Sequence, residues 1–290
     1  MMFSPDDFPH LKISLENIRS ATNNFDEVNI IRQSRYSKEY KGQLLWSGEL
    51  IDIRARKVNK EYTHIDFFIQ LFWTEVSMLS SLRHPNLVSF VGFCDENGEK
   101  IVITKHETRG SLVNYLRDPM LLTWLRRLEI CVGIANALSY IHYDESREFT
   151  VIHRLIHSGI VLLNDDWEPK LSGFEGSMKI TASQRHHSFL NQRLVYANGY
   201  EDPAYFETKR ASHKSDIYSF GILMFELLCG SRKTDDDQQN TYLTHYREKK
   251  LNEIIDWDLW NQMDAQSFNI FSSTDINQLT GPQELSLVFL

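Results

Sequence analysis

The stretch Val151–Ser177, VIHRLIHSGIVLLNDDWEPKLSGFEGS, decides how the rest of the chain is read. It holds two histidines, His153 and His157, at the four-residue spacing of a metal pair, but no third ligand accompanies them, so the spacing alone makes no metal site. The flanking segments give the stretch a place in a fold. Upstream, Leu121, Leu125, Leu128, Val132, Ala135 and Leu138 recur at helical spacing and predict a long buried helix ending near His142. Downstream, SDIYSFGILMFELLCG (Ser215–Gly230) is apolar nearly all round, as suits a helix at the centre of a lobe.

Nearer the N-terminus the pattern changes. A short helix is expected over Ile13–Phe25. The run GQLLWSGELIDIRARKV (Gly42–Val58) reads as two strands joined by the turn residues Ser47 and Gly48. Between Asp66 and Leu82, Phe68, Phe72, Val76 and Leu79 fall on one helical face, with Glu75 beside it. His84, Pro85 and Asn86 break that helix, and two strand-like runs come next, NLVSFVGFC and KIVITKHE, closed by Gly110. Strands first and helices afterwards imply an α+β, bilobal chain with a small β-rich N-terminal lobe and a mainly helical C-terminal lobe, divided near residues 106–110. The expected division is an extension at 1–25, lobes at 26–106 and 107–273, and an atypical tail at 274–290.

The 290 residues, 42% hydrophobic and 24% charged, have the composition of a globular protein. A formal net charge of −8 argues against nucleic acid or an anionic membrane surface as a partner, because both need a basic footprint. The three cysteines, Cys94, Cys131 and Cys229, are widely spaced and odd in number, which fits a reducing, cytoplasmic setting better than a disulfide framework. No apolar run is long enough to insert into a membrane, so membrane recruitment would be the work of a partner.

In this order, the motifs resemble those of protein kinases. Val151–Ser177 is similar to the catalytic loop, the strand pair after it and the metal-binding loop, and GYEDPAYFETKRASHKSDIYSFGILMFELLCG to the segment after the activation loop. With ISLENIRSATNNFDEVNII upstream, the wording is closest to plant receptor-like kinases, over roughly Ile13 to Ser273. The resemblance implies phosphoryl transfer by positioning and electrostatics: a base, metal ligands, a lysine and a glycine-rich loop.

Position by position, those groups are replaced. His-Arg-Asp becomes His153, Arg154 and Leu155, and a leucine accepts no proton. Ile160 stands where the family has a metal-binding Asn. Asp-Phe-Gly becomes Gly173, Phe174 and Glu175; Glu175 is a displaced carboxylate, but Mg²⁺ demands near-octahedral oxygen ligands. His157 replaces a lysine that reaches the terminal phosphate. The glycine-rich loop maps onto Arg32, Ser34 and Ser37, which hinder close backbone approach to phosphate. The strand lysine aligns with Arg54, which with Glu75 makes up the candidate cofactor-binding residues; a structural Arg54–Glu75 pair is expected, with a phosphate contact by Arg54 as the alternative. Ala-Pro-Glu becomes Asp202, Pro203 and Ala204, and the final helices of the family go unmatched, as in a truncated lobe.

Other features fit fold maintenance. Asp216 is expected to cap the catalytic-loop backbone, and Gly42, Gly92 and Gly221 to serve tight packing. Arg154 is expected to satisfy nearby carbonyls or clamp a phosphate at Thr181, Ser183 or Ser188, in a mobile loop from Gly176 to Asn198. His186, His187 and Asp235–Asp237 read as solvated.

The leading expectation is a pseudokinase that binds other protein kinases or receptor cytoplasmic domains. Alternatives are a weakly active Ser/Thr kinase and a nucleotide-binding switch without transfer. No cofactor is assigned; ATP binding is expected to be weak and to lack normal Mg²⁺ coordination.

Overall fold

The computed structural model describes residues 8–190, 197, 199–230, 255, 257–264 and 266. The tail at 274–290 and the acidic run Asp235–Asp237 lie outside them. The chain divides into two compact units, Met1–Arg83 with Val88–Thr108, and His84–Leu87 with Arg109–Leu290.

The first unit is built on an antiparallel sheet of β1 (Ile30–Gln33), β2 (Ser37–Trp46), β3 (Glu49–Val58), β4 (Phe90–Glu96) and β5 (Glu99–Lys105), in the order β1-β2-β3-β5-β4. Two-residue turns set its hairpins. Ser47 and Gly48 have φ of 51° and 87°, and Asn97 and Gly98 have 53° and 74°, the left-handed pair that matches strand twist. The first turn fixes Lys41 opposite Arg54 and Glu39 opposite Arg56.

Because side chains alternate across a strand, Ile53 and Ala55 face one side of β3 while Arg54 and Arg56 face the other. The apolar side is covered by α1 (Leu15–Ala21), whose Leu15 and Ile18 join Leu44, Ile53, Ala55, Ile101 and Ile103 in one core. This helix is shorter than Ile13–Phe25. It ends where Thr22 Oγ1 donates to the Ile18 carbonyl and Asn23, Asn24 and Phe25 turn to positive φ. It also lies so close to the sheet that a Cβ on Gly42 would meet the Ala21 carbonyl oxygen at 2.3 Å. The second helix, α2 (Asp66–Ser81), packs on β4 and β5 through Phe72 and Trp73, which meet Phe93 edge-on.

In the second unit, β6 (Gly110–Ser111) precedes α3 (Trp124–Tyr143). Only the second half of the expected stripe is buried in α3: Ala135 and Leu138 are buried, Leu128 and Val132 half-buried and Leu121 and Leu125 exposed, while Trp124, Arg127, Cys131, Ile134 and Ile141 are buried. An arginine is responsible for the offset. Arg127 is 1% exposed and donates to the carbonyls of Leu116, Leu122 and Leu227, so its charge is dispersed over backbone oxygens inside the core.

After α3 come β7 (Phe149–Ile152), β8 (Val161–Leu163), β9 (Pro169–Leu171), β10 (Met178–Thr181) and β11 (Phe189–Leu190). They are followed by α4 (Pro203–Thr208), β12 (Arg210–Ala211) and α5 (His213–Cys229). β8 joins β6 and β9, β10 pairs with β7, and β11 with β12. The expected loose loop after Gly176 is therefore partly sheet. Ile180 packs with Ile152, Tyr205 and Ala211, and Met178 and Phe189 lean on that cluster, which ties the segment down. Residues 191–196 and 198 fall outside the described set.

A capping box of Ser212 and Ser215 starts α5, and Gly230 in the left-handed region ends it. Ile217, Phe220, Ile222, Leu223, Met224, Phe225, Leu227 and Leu228 are all buried, as an all-round apolar helix requires.

Candidate catalytic loop and anion-binding face

Asp216, in the first turn of α5, organises the loop after β7. Its carboxylate accepts from the backbone N–H of His153 and of Arg154, both at 2.7 Å, and contacts His142 Nε2 at 2.8 Å. Burial alone would raise its pKa; the hydrogen bond and charge of His142, then His153 and the Arg154 N–H, hold it below the ordinary carboxylate range instead. Arg154 takes φ 73° under this clamp.

His153 is fully buried, edge-on to Phe174 at 4.6 Å between ring centroids. Its Nε2 donates to the Ser172 carbonyl at 2.9 Å, which leaves Nδ1 to accept from the Leu155 N–H. Both ring nitrogens are thus engaged, and burial lowers the pKa, so the neutral ring is a packing and hydrogen-bonding element. His157 Nδ1 likewise accepts from the Gly159 N–H at 3.0 Å. The two histidines do not converge on a metal, and among the described residues no group of three potential ligands does.

Of the three positions where the kinase resemblance implies catalytic groups, two lie side by side. Leu155 is half-buried, Ile160 is buried, and Gly173 sits at φ 81°. Ile160 and Gly173 are neighbours: a Cβ at residue 173 would lie 3.0 Å from Ile160 Cγ2 and 3.2 Å from its Cβ. Neither has a side-chain oxygen, and the Ile160 carbonyl is already taken by the N–H and hydroxyl of Ser172, so these two positions offer Mg²⁺ no ligand. Glu175 lies in a single 3₁₀ turn, Phe174–Gly176, and its Oε2 is buried without a hydrogen-bond partner, so among the described residues it is the one carboxylate oxygen near this pair that could face a cation.

In the first unit, the expected Arg54–Glu75 pair is replaced by two others. Arg54 forms a two-pronged contact with Glu39 of β2: Nε donates to Oε2 and Nη2 meets Oε1, each at 2.8 Å. The guanidinium that reaches Glu75 of α2 belongs to Arg56. Arg54 and Arg56 share a face two residues apart, so the choice between them was open to a slip in alignment. Desolvation would raise the pKa of Glu39; the charge and hydrogen bond of Arg54, with the charges of Arg32 and Arg56, hold it below the usual range.

The β1–β2 turn, where a glycine-rich loop would cradle phosphate, is satisfied internally. The Ser34 hydroxyl accepts from the N–H of Tyr36 at 3.2 Å and of Ser37 at 3.0 Å, and Ser34 N–H donates to the Ser37 carbonyl. The Tyr36 ring packs on Tyr62 and Phe68 at 5.2 and 5.1 Å. Asn59 bonds the carbonyls of Arg35 and Tyr36, and Arg35 Nε donates to the Tyr62 hydroxyl. Glu39, Arg56 and the acceptor role of Ser34 were not singled out from sequence. A signal existed for the first two, since the Ser47–Gly48 turn places an acid opposite an alternating arginine pair.

The candidate regulatory residues are spread out. Thr181 ends β10 and Ser183 lies in the 3₁₀ turn Ala182–Gln184, both exposed. The guanidinium of Arg154 donates to the Gly176 carbonyl at 2.7 Å. Ser188 is held by a different arginine, Arg210, whose Nε donates to its hydroxyl at 2.8 Å.

Residues 29–259 match the profile of the family described as protein tyrosine and serine/threonine kinase. Among curated proteins of Arabidopsis thaliana, the chain is 33% identical to the receptor-like protein kinase ANXUR2 over 91% of its own length and 30% of that protein. It is 33% identical to receptor-like protein kinase HERK 1, over 91% of the chain and 32% of that protein. For receptor-like protein kinase FERONIA the identity is 31%, over 90% of the chain and 29% of that protein. The chain thus spans about a third of the length of these relatives, and no helix among its described residues is long and apolar enough to cross a membrane. With a sheet-based first unit, a largely helical second one and a catalytic-loop backbone clamped by Asp216, the chain belongs to the protein tyrosine and serine/threonine kinase family, among relatives that are plant receptor-like kinases.

Proposed function

We propose that this domain is a pseudokinase, a kinase fold that works by binding other protein kinases or receptor cytoplasmic domains and does not transfer phosphate itself. The observation that carries the reading is the placement of Ile160 beside Gly173: neither residue has a side-chain oxygen, and Ile160 takes up the space into which a side chain at 173 would project. Leu155 removes the base as well. Loss of a base alone lowers such rates by ~10²–10⁴, and metal ions contribute several kcal/mol of charge stabilisation at the transferring phosphoryl group. The retained Asp216 clamp, by contrast, serves the loop's shape and needs no substrate.

Regulation by phosphorylation from a partner kinase belongs to the same reading, with Thr181, Ser183 and Ser188 as acceptors. A phosphate on Ser188 would meet Arg210 before Arg154 and would strengthen the β11–β12 pairing by a charge-assisted contact.

The test is thermal melting of the purified domain with ATP, in Mg²⁺ or Mn²⁺ and in chelator. The expected result is no metal-dependent rise in Tm. A rise of several degrees that requires the metal would contradict the reading, since stabilisation grows with the logarithm of ligand over Kd.

A further inference from the structure

We propose that Thr181 is a phosphorylation site with its receiver built into the strand opposite: a phosphate on its hydroxyl seats against the Lys179 ammonium and the Arg147 guanidinium beside the Phe149 ring, and pins β10 to β7. The inference rests on the reading that a partner kinase phosphorylates this segment, and names where that phosphate is received.

The β7–β10 register brings the groups together. Thr181 stands opposite Phe149, and Lys179 opposite Val151. Residues directly opposite share a face with Cβ atoms ~4.5–5.5 Å apart, as do residues two apart along one strand. Lys179 leans along its strand toward Thr181: its Nζ lies 3.8 Å from the centroid of the Phe149 ring, the residue opposite Thr181. The Arg147 guanidinium reaches the same ring from the chain before β7, with Cζ at 5.0 Å. Beyond Thr181 the pairing is closed by the Ala182 N–H, which donates to the Glu148 carbonyl at 2.9 Å.

The two cations oppose one another. Burial first, and the charge of Arg147 second, hold Lys179 below the ordinary lysine range. Arg147 is anchored: Nε donates to Asp144 Oδ2 at 3.1 Å, Nη2 donates to the Tyr140 carbonyl, and Cζ lies 4.4 Å from the Tyr140 ring centroid. Its Nη1 is buried and makes no hydrogen bond. An anion between the two cations relieves their repulsion and adds an acceptor for the guanidinium. Thr181 is exposed, and its hydroxyl does not cap the 3₁₀ turn Ala182–Gln184 that follows, so the oxygen is accessible to modification. A phosphate there brings nearly two negative charges and three acceptor oxygens. Arg154, by comparison, contacts the Gly176 carbonyl and the Tyr205 hydroxyl, neither of which lies on this strand pair.

The experiment uses the full chain with genetically encoded phosphothreonine at 181, beside the unmodified chain, each as wild type, Lys179→Met and Arg154→Gln. Phosphorus NMR follows the phosphate through pH, and hydrogen exchange follows the Ala182 amide. The expected second pKa of the phosphate falls from ~6 in an unstructured phosphopeptide to ~5 in the protein, because nearby cations favour the dianion. Exchange at Ala182 should slow about tenfold on phosphorylation. Both effects should shrink in Lys179→Met and persist in Arg154→Gln. Lys179 is exposed, and should Lys179→Met still fail to fold, Lys179→Gln carries the comparison. A phosphate that titrates as in the free peptide would overturn the proposal. So would effects of equal size in the Lys179 variant, or effects lost only in Arg154→Gln. The encoded phosphate needs no kinase, so the result is independent of whether a partner kinase acts here and of the nucleotide test that judges the pseudokinase reading.

Discussion

At Gly173 the backbone holds φ 81° and a methyl group would lie 3.0 Å from Ile160 Cγ2, so strain and crowding act on the same atom. Gly173→Ala is expected to cost at least ~1–2 kcal/mol for the left-handed conformation alone. Ile160→Ala should cost ~2–5 kcal/mol as a large-to-small core change. Together they should cost less than the sum by ~0.5–3 kcal/mol, because the shortened side chain makes room for the methyl group; urea unfolding of the four proteins measures this, and strict additivity would refute the contact. His213 provides a second test. It stacks on His142 at 4.1 Å, and its Nε2 meets the Thr150 hydroxyl. Burial, then the charge of His142, depress its pKa from 6.5 to about 3, with Arg185 and His186 adding to the effect and Asp216 opposing it. Only the unfolded chain protonates this group between those values, so stability falls as pH drops from 6.5 toward 3, by up to ~1.4 kcal/mol per pH unit from this one group. His213→Gln should flatten that slope between pH 6 and 5 by about one proton's worth, and an unchanged slope of urea midpoint against pH would contradict the assignment. Leu155, Ile160 and Gly173 stood out in the sequence because each differs from the residue type that the kinase resemblance implies there. The sequence did not show Glu39 or the His142–His213 stack, whose meaning arises only when distant segments meet.

Among the elements, the β1–β2 hairpin tip depends on contacts with the β3–α2 connection. Tyr36 packs on Tyr62 and Phe68, and Tyr62 on Phe68 at 4.7 Å. Each such aromatic pair is worth ~0.5–1.5 kcal/mol beyond its buried area. Tyr36→Ala should therefore speed amide exchange at Tyr36 and Ser37 by about tenfold or more, with β4 and β5 unchanged. Exchange left as slow as in wild type would show that the Ser34 hydroxyl alone holds the turn. Hairpins with two-residue turns, and helices with simple apolar faces such as α2, were legible because local chemistry determines them. The face of α3 was legible only at Ala135 and Leu138, because a fully buried Arg127 reads as surface until the three carbonyls that receive it are known. The same limit applies to the segment after Gly176: Met178–Thr181 becomes a strand through pairing with Phe149–Ile152, a partner its own sequence does not name.

For the whole molecule, family and chemistry point in different directions. Asp216 is bonded to the backbone of His153 and Arg154, while Leu155, Ile160 and Gly173 carry no side-chain oxygen, the basis of the proposed pseudokinase reading. The family was legible in the sequence because the kinase motifs stand in order and at the right spacing; the pairing of Arg54 with Glu39 was not, since alignment favoured Glu75. The most direct measurement is incorporation of labelled phosphate from ATP, in Mg²⁺ or Mn²⁺, into the purified domain and into a generic protein acceptor. The account predicts incorporation no greater than that of a Gly173→Ala/Ile160→Ala control and of heat-inactivated protein. Metal-dependent incorporation above both, abolished by Arg54→Ala and insensitive to inhibitors of contaminating kinases, would contradict it.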